Sequence, residues 1–184
     1  MNITYRILLP ADAAAYRNLR LECLAKHPDN FGTGVEEERC QPELKFEKII
    51  KTGSTDSFMM GVFDEERLVG LCGFNREDRL KTKHRGEIVQ MYVDATYAGK
   101  HIGPSLLNAA IKRAFESGVI EQIALSLVHQ NERANRVYEK LGFEEYGRIK
   151  NYFKAGSRYW DQRFMILRRD TWKPFVAQGE QGIL

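Results

Sequence analysis

"NERANRVYEKLGF", Asn131 to Phe143, carries two stripes when wound at 3.6 residues per turn. Ala134, Val137 and Leu141 form an apolar stripe; Asn131, Asn135 and Tyr138 form a polar one, roughly a quarter-turn away. Gly142 suits the left-handed position that ends such a helix. An amphipathic helix needs only the apolar stripe. Asn131 is accounted for as an N-cap, its side-chain oxygen accepting a backbone N–H of the first turn. Asn135 and Tyr138 are not. On the edge next to a buried apolar stripe they are expected to face an opening between two strands, where ligands of α/β proteins lie, or else to be an amphipathic rim.

The segments around this helix supply the strands. "IALSLV" precedes it, and "EEYGRIKNYF" and "SRYWDQRFMIL" follow around the turn "KAGS". Upstream, "ITYRILL" reads as a strand, Asp12 to about Ala25 as a helix, "HPDNFGTG" as a loop and "VEEERCQ" as ambiguous, while Pro42 opens a second short helix. "SFMMGVF" and "RLVGLCGF" form a hairpin, "GEIVQMYV" a further strand, and His101 to Ser117 a long helix with Ile102, Leu106, Ala110 and Ala114 on one face. The order β-α-α-β-β-β-α-β-α-β-β predicts the α/β class: a mixed sheet with helices on both faces and hairpins at its ends. Residues 1–170 are expected to form one domain, with an irregular tail over 171–184.

Composition narrows the function classes. Of 184 residues 43% are hydrophobic and 29% charged, which suits a folded globular chain. A formal charge of +3, evenly spread, is no footprint of a nucleic-acid binder. Cys23, Cys40 and Cys72 are odd in number, with no C-x-x-C pair and no His at ligand spacing, so neither a disulfide framework nor a metal site is expected. "MNITYRILLPAD" lacks the basic and apolar regions of a signal peptide, and no apolar run spans a membrane, so a cytoplasmic protein is expected.

The chemistry concentrates in "DATYAGKHIGPSLL", a glycine-bearing turn from strand to helix. Such a turn presents free N–H groups and the positive end of a helix dipole, a seat for phosphate, or it is a plain turn with glycines at strained positions. It fits neither the P-loop nor the dinucleotide glycine pattern.

"MYVDATYAGKHIGPSLL", then "NERANRVYEKLGF", then a late strand ending "DQRFMIL" together resemble the GNAT superfamily of acetyl-CoA-dependent N-acetyltransferases over nearly the whole chain. The resemblance implies the acyl-CoA N-acyltransferase fold, with a central sheet splayed between two strands. It implies that Gly99, Lys100, His101, Ile102, Gly103, Pro104 and Ser105 surround the CoA pyrophosphate, and that Met91, Tyr92 and Val93 bond pantetheine through their backbone and meet the oxyanion. It implies further that Asn131 and Asn135 contact the CoA arm, and that Tyr138 protonates the departing thiolate. The turn departs from the family pattern: Ala98 stands where Gln or Arg is usual and His101 where the first glycine is usual, and Pro104 removes one backbone donor.

A protonated amine must lose a proton before it attacks. Some members carry a Glu on the strand before the first Asn, where this chain has Ser126; Glu87 is the best remaining carboxylate, acting directly or through water, or else it is an ordinary strand-end charge, and His129 is worse placed. "NFGTGVEEERC" is the region that in this family closes over the amine. Its run Glu36, Glu37, Glu38 either concentrates a cationic acceptor or is a solvated face. The family's acceptors include antibiotics, polyamines, amino acids, protein N-termini and lysines. A small-molecule or peptide amine is therefore the expected partner, and a homodimer the expected assembly. The alternative to an enzyme is an acyl-CoA-binding module that keeps the slot without chemistry.

Overall fold

Alternation at period two and apolar stripes at period three to four divide the chain into strands and helices much as expected. The computed structural model describes residues 1–175. The strands are β1 (Ile3–Ile7), β2 (Phe58–Asp64), β3 (Arg67–Arg76), β4 (Arg85–Val93), β5 (Gln122–Val128), β6 (Glu144–Ala155) and β7 (Arg158–Arg168). The helices are α1 (Ala13–Lys26), α2 (Val35–Arg39), α3 (Lys45–Thr52), α4 (Ile102–Glu116) and α5 (Glu132–Lys140). The ambiguous "VEEERCQ" thus contains α2, one helix more than the expected order. A two-bond ion pair from Glu38 to Arg20 of α1 ties this charged turn down.

The strands make one seven-stranded sheet in the order β1-β2-β3-β4-β5-β7-β6, antiparallel throughout except for β4 against β5. Its two faces carry separate cores. On one face α4 and α5 cover Phe58, Met60, Phe74, Ile88, Ile123, Leu125 and Met165. On the other, α1 and α3 cover Met59, Phe63, Leu71 and Tyr92. Such burial of aliphatic and aromatic side chains contributes about 1.5–3 kcal/mol each and dominates the stability of the sheet.

The parallel junction is short. Pairing runs from Arg85 opposite Gln122 to Ile88 opposite Leu125 and stops. Beyond it β4 continues to Val93 and β5 to Val128 without each other, so a wedge-shaped gap opens in the middle of the sheet. A bulge sharpens the divergence: the register of β3 on β4 shifts between Leu71 and Gly73, and Gln90 takes a left-handed backbone, φ 55°. Tyr16 of α1, fully buried, donates its hydroxyl to Gln90 Oε1 at 2.9 Å and pins the bulge from the core beneath. The splay implied by the family resemblance therefore has a local cause.

The stretch after Arg168 departs from expectation as far as it is described. Trp172 packs on Phe115 of α4, ring centroids 5.6 Å apart, and the Phe175 N–H donates to Asn108 Oδ1 at 2.9 Å. Residues 171–175 are thus held against α4; the rest of the expected tail lies outside the described residues. Among the described residues no helix is long and apolar enough to cross a membrane.

Candidate active site

The gap between β4 and β5 leads into a cavity on each face of the sheet, and Ile88, Val89, Gln90, Ser126 and Leu127 border both. On the α4/α5 side lies a groove of about 320 Å³. Its walls include Met91, Tyr92 and Val93 of β4, Gly103 and Pro104 of α4, and Asn131, Arg133, Ala134, Val137 and Tyr138 at the α5 end. With no partner strand beside them, the β4 residues past Ile88 are free to bond a ligand on that edge through their backbone.

At the groove's end the strand-to-helix turn forms a small cup of about 90 Å³. Gly99 (φ 78°) and His101 (φ 58°) both adopt left-handed backbone. Position 101, where the family usually has glycine, is thus a position that favours glycine, and His tolerates it better than a branched residue. Asp94 caps the turn through the Thr96 N–H at 2.9 Å. The first closed helical bond of α4 runs from Ser105 N–H to His101 C=O, so Pro104 occupies one of the four N-terminal positions whose N–H has no helical partner. Its missing donor costs the helix nothing and the cup one N–H.

Gly99, His101, Ile102, Gly103 and Pro104 line the cup. Lys100 and Ser105 do not: the Lys100 ammonium lies over the Tyr97 ring, 5.4 Å from its centroid, and Ser105 sits beside the Tyr5 phenol. Arg133, which sequence reasoning passed over, lines both cup and groove and brings the cation that Ala98 does not supply. Its only signal was its place in the first turn of α5.

Of the polar stripe of α5, Asn131 and Tyr138 border the groove and Asn135 does not; Asn135 and Tyr138 are buried, while Ala134 and Val137 are half-buried, line the groove and pack against the core. A polar network turns Asn135 away. Asn135 Nδ2 donates to the His129 carbonyl at 2.8 Å, and its Oδ1 accepts from Arg163 Nη1 of β7 at 2.6 Å. Arg163 also donates to Glu139 at 2.8 Å and Glu145 at 2.5 Å. With both ends engaged, Asn135 braces the loop between β5 and α5 and is absent from the groove lining. Asn131 caps α5, accepting from the Ala134 N–H at 3.2 Å, and also borders the groove.

Tyr138 does both: its ring packs edge-on to Phe143, centroids 5.7 Å apart, and it lines the groove. Burial raises its phenol pKa well above the ordinary value, so the hydroxyl stays protonated at neutral pH.

On the α1/α3 side lies a chamber of about 370 Å³. Glu87 lines this chamber and not the groove. Burial raises its carboxyl pKa, opposed by Lys45 and assisted by Glu77. Ser126 borders both cavities, whereas His129 borders neither; its Nε2 lies 2.9 Å from Arg148 Nη1. The acidic run is not a free cluster: Glu38 lies in the chamber wall bonded to Arg20, and Glu36 is bonded to Arg39. Asn30 and Phe31, which open the segment that the family resemblance sets over the amine, border both cavities. Among the described residues no group of three or more His, Cys, Asp or Glu side chains is placed to hold a metal.

The chain that folds in this way is similar to known proteins in sequence and in fold. The chain is 24% identical over 123 residues to N-alpha-acetyltransferase 30 of Schizosaccharomyces pombe, a match covering 67% of this chain and 81% of that one. An acetyltransferase of the GNAT family from Streptococcus pneumoniae superposes with a TM-score of 0.77 at 20% identity, over 91% of this chain and 99% of that chain. A putative acetyltransferase from Salmonella typhimurium, solved with its cofactor acetyl-CoA, superposes with a TM-score of 0.74 at 19% identity, over 91% and 94% of the two chains. The model of the acetyltransferase (GNAT) family matches residues 16–143, from the tyrosine under the bulge to the end of the α5 turn, and with this fold around them the chain belongs to that family.

Proposed function

We propose that the protein transfers the acetyl group of acetyl-CoA directly to an amine through the gap between β4 and β5. The observation that carries this reading is the placement of two titratable groups across one opening: Tyr138 in the groove on one face and Glu87 in the chamber on the other. The N-terminal turn of α4, with Arg133 beside it, suits the pyrophosphate, since free N–H groups and a guanidinium both favour an anion. The open edge of β4 at Met91, Tyr92 and Val93 suits the pantetheine arm and offers N–H groups to the developing oxyanion.

In this reading the amine enters from the chamber. Glu87, directly or through water, accepts the ammonium proton; the freed amine attacks the thioester carbonyl to form a tetrahedral oxyanion. As this collapses the C–S bond breaks, Tyr138 gives its proton to the leaving sulfur, and the phenolate takes back the second proton of the new amide nitrogen through solvent. Atoms and charge balance without a metal or a redox partner.

The test has two readouts. Acetyl-CoA at a hundred times its dissociation constant stabilises a native-only binder by about 2.7 kcal/mol, which appears as a raised unfolding temperature. Free thiol released in the presence of an amine panel then reports transfer. No melting shift at millimolar acetyl-CoA would sink the CoA assignment. A shift without thiol release on any amine would leave a binding module.

A further inference from the structure

The chamber across the gap is electrically balanced. Arg20 and Glu38 neutralise each other in its wall through bonds of 2.9 and 2.6 Å, and the remaining charged residues lining it are one of each sign, Lys45 and Glu87. The acidic run, the chain's candidate attractor for a polycation, is bonded to arginines at two of its three positions. A polyamine, with several positive charges, meets no matching excess of carboxylate here.

Two residues of the chamber wall each keep a buried polar atom, one acceptor and one donor, without a partner. Gln162, 7% exposed, leaves Oε1 with no hydrogen-bond partner among the described residues. Arg20, 4% exposed, gives Nε and Nη2 to Glu38 and leaves Nη1 likewise without a partner. Lys45 lines the same chamber as Glu87. A buried donor or acceptor left unpaired is costly, so a ligand that pairs such groups is favoured over one that does not. Acceptors alone would suit a simple amine; donors beside them call for an oxygen anion on the same molecule. Phe31, Phe46 and Phe153 add apolar wall.

We propose that the acceptor is a small zwitterion, an amine that carries a carboxylate close by, in the manner of an apolar amino acid, with Lys45 as the carboxylate's counter-charge. The proposal rests on the transfer reading above: it is this molecule's amine that gives its proton to Glu87 and receives the acetyl group. It gives Lys45 a role in selecting the substrate and none in the chemistry.

Matched pairs test it: L-phenylalanine against 2-phenylethylamine and L-leucine against 3-methylbutylamine, with spermidine as the polycation, each with acetyl-CoA and thiol release as the readout. A charge-assisted bond is worth about ten- to a hundredfold, so kcat/KM is expected to favour the carboxylated member of each pair by that factor. Lys45→Met is expected to bring the ratio within about threefold of unity, and the acetyl-CoA melting shift checks that the variant is folded. Pairs turned over equally, spermidine preferred, or a ratio unchanged in Lys45→Met would overturn the zwitterion and leave the transferase standing. Thiol release with none of the probes or any other amine would overturn both.

Discussion

Tyr138→Phe is expected to turn over about a hundred- to ten-thousand-fold more slowly than the parent, the usual loss when a general acid is removed. The substitution keeps the ring that packs on Phe143 and removes only the hydroxyl, so the core around α5 and the affinity for acetyl-CoA are expected to stay near those of the parent. The phenol suits an acid role because burial holds it protonated far above neutral pH; the same burial means that the alkaline side of a pH profile is not set by Tyr138. Steady-state kinetics with thiol detection, alongside the melting shift from acetyl-CoA, separate rate from binding. A variant as fast as the parent would reduce Tyr138 to packing.

The second large effect concerns Glu87, through both rate and pH. In the proposed base role Glu87 reacts as the carboxylate, and burial places its pKa above the ordinary carboxylate value. Activity is therefore expected to be full above that raised pKa and to fall as pH drops through it. The acid limb should lie at higher pH than an exposed carboxylate would give. Glu87→Gln is expected to erase the limb and to lower kcat by about a hundred- to ten-thousand-fold.

Stability runs in the other direction. A carboxyl with a raised pKa in the folded state binds its proton more tightly there than in the unfolded chain. Its contribution to stability is present at low pH and declines as pH rises from the unfolded value through the folded one. At neutral pH the glutamine variant is thus expected to melt no lower than the parent, and its rate loss cannot be attributed to unfolding. An acid limb that persists unchanged in Glu87→Gln would assign the base to water or another group.

What was legible in the sequence followed from local periodicity and turn chemistry. The α4 turn was readable because Gly99, Gly103 and the start of an apolar helical face lie within a few residues of one another. The strands past β1 were bounded by turn residues. The turning of Asn135 away from the groove was not readable, since periodicity places a side chain on a face and does not name its partners. The deciding contact comes from Arg163, 28 positions from Asn135, on a strand that reaches the helix only once the sheet has formed. The bulge was equally hidden. Gln90 is neither glycine nor proline, and the hydroxyl that holds its amide comes from Tyr16, 74 positions earlier. Arg133 sat inside the stretch that decided the fold, yet a charged residue in a first helical turn looks like solvent-facing charge until the cup opposite is seen.

The short parallel junction also bears on how the molecule comes apart. Strands β1 to β4 are joined by long antiparallel ladders, as are β5 to β7, but among the described residues the strands of these two blocks pair only over Arg85–Ile88 and Gln122–Leu125, with the His84 carbonyl accepting from Glu121 and Gln122 N–H at the closed end. That junction is a seam. A molecule lodged in the gap touches both blocks and acts as a rivet across it, so occupancy of the groove and closure of the seam are thermodynamically linked. Amide exchange would show it: the N–H groups of Ile123 to Leu125 are expected to exchange more slowly when acetyl-CoA is bound, while those deep in the β2–β3 hairpin, remote from the seam, change little. Equal slowing in both places would mean that the sheet opens as one piece.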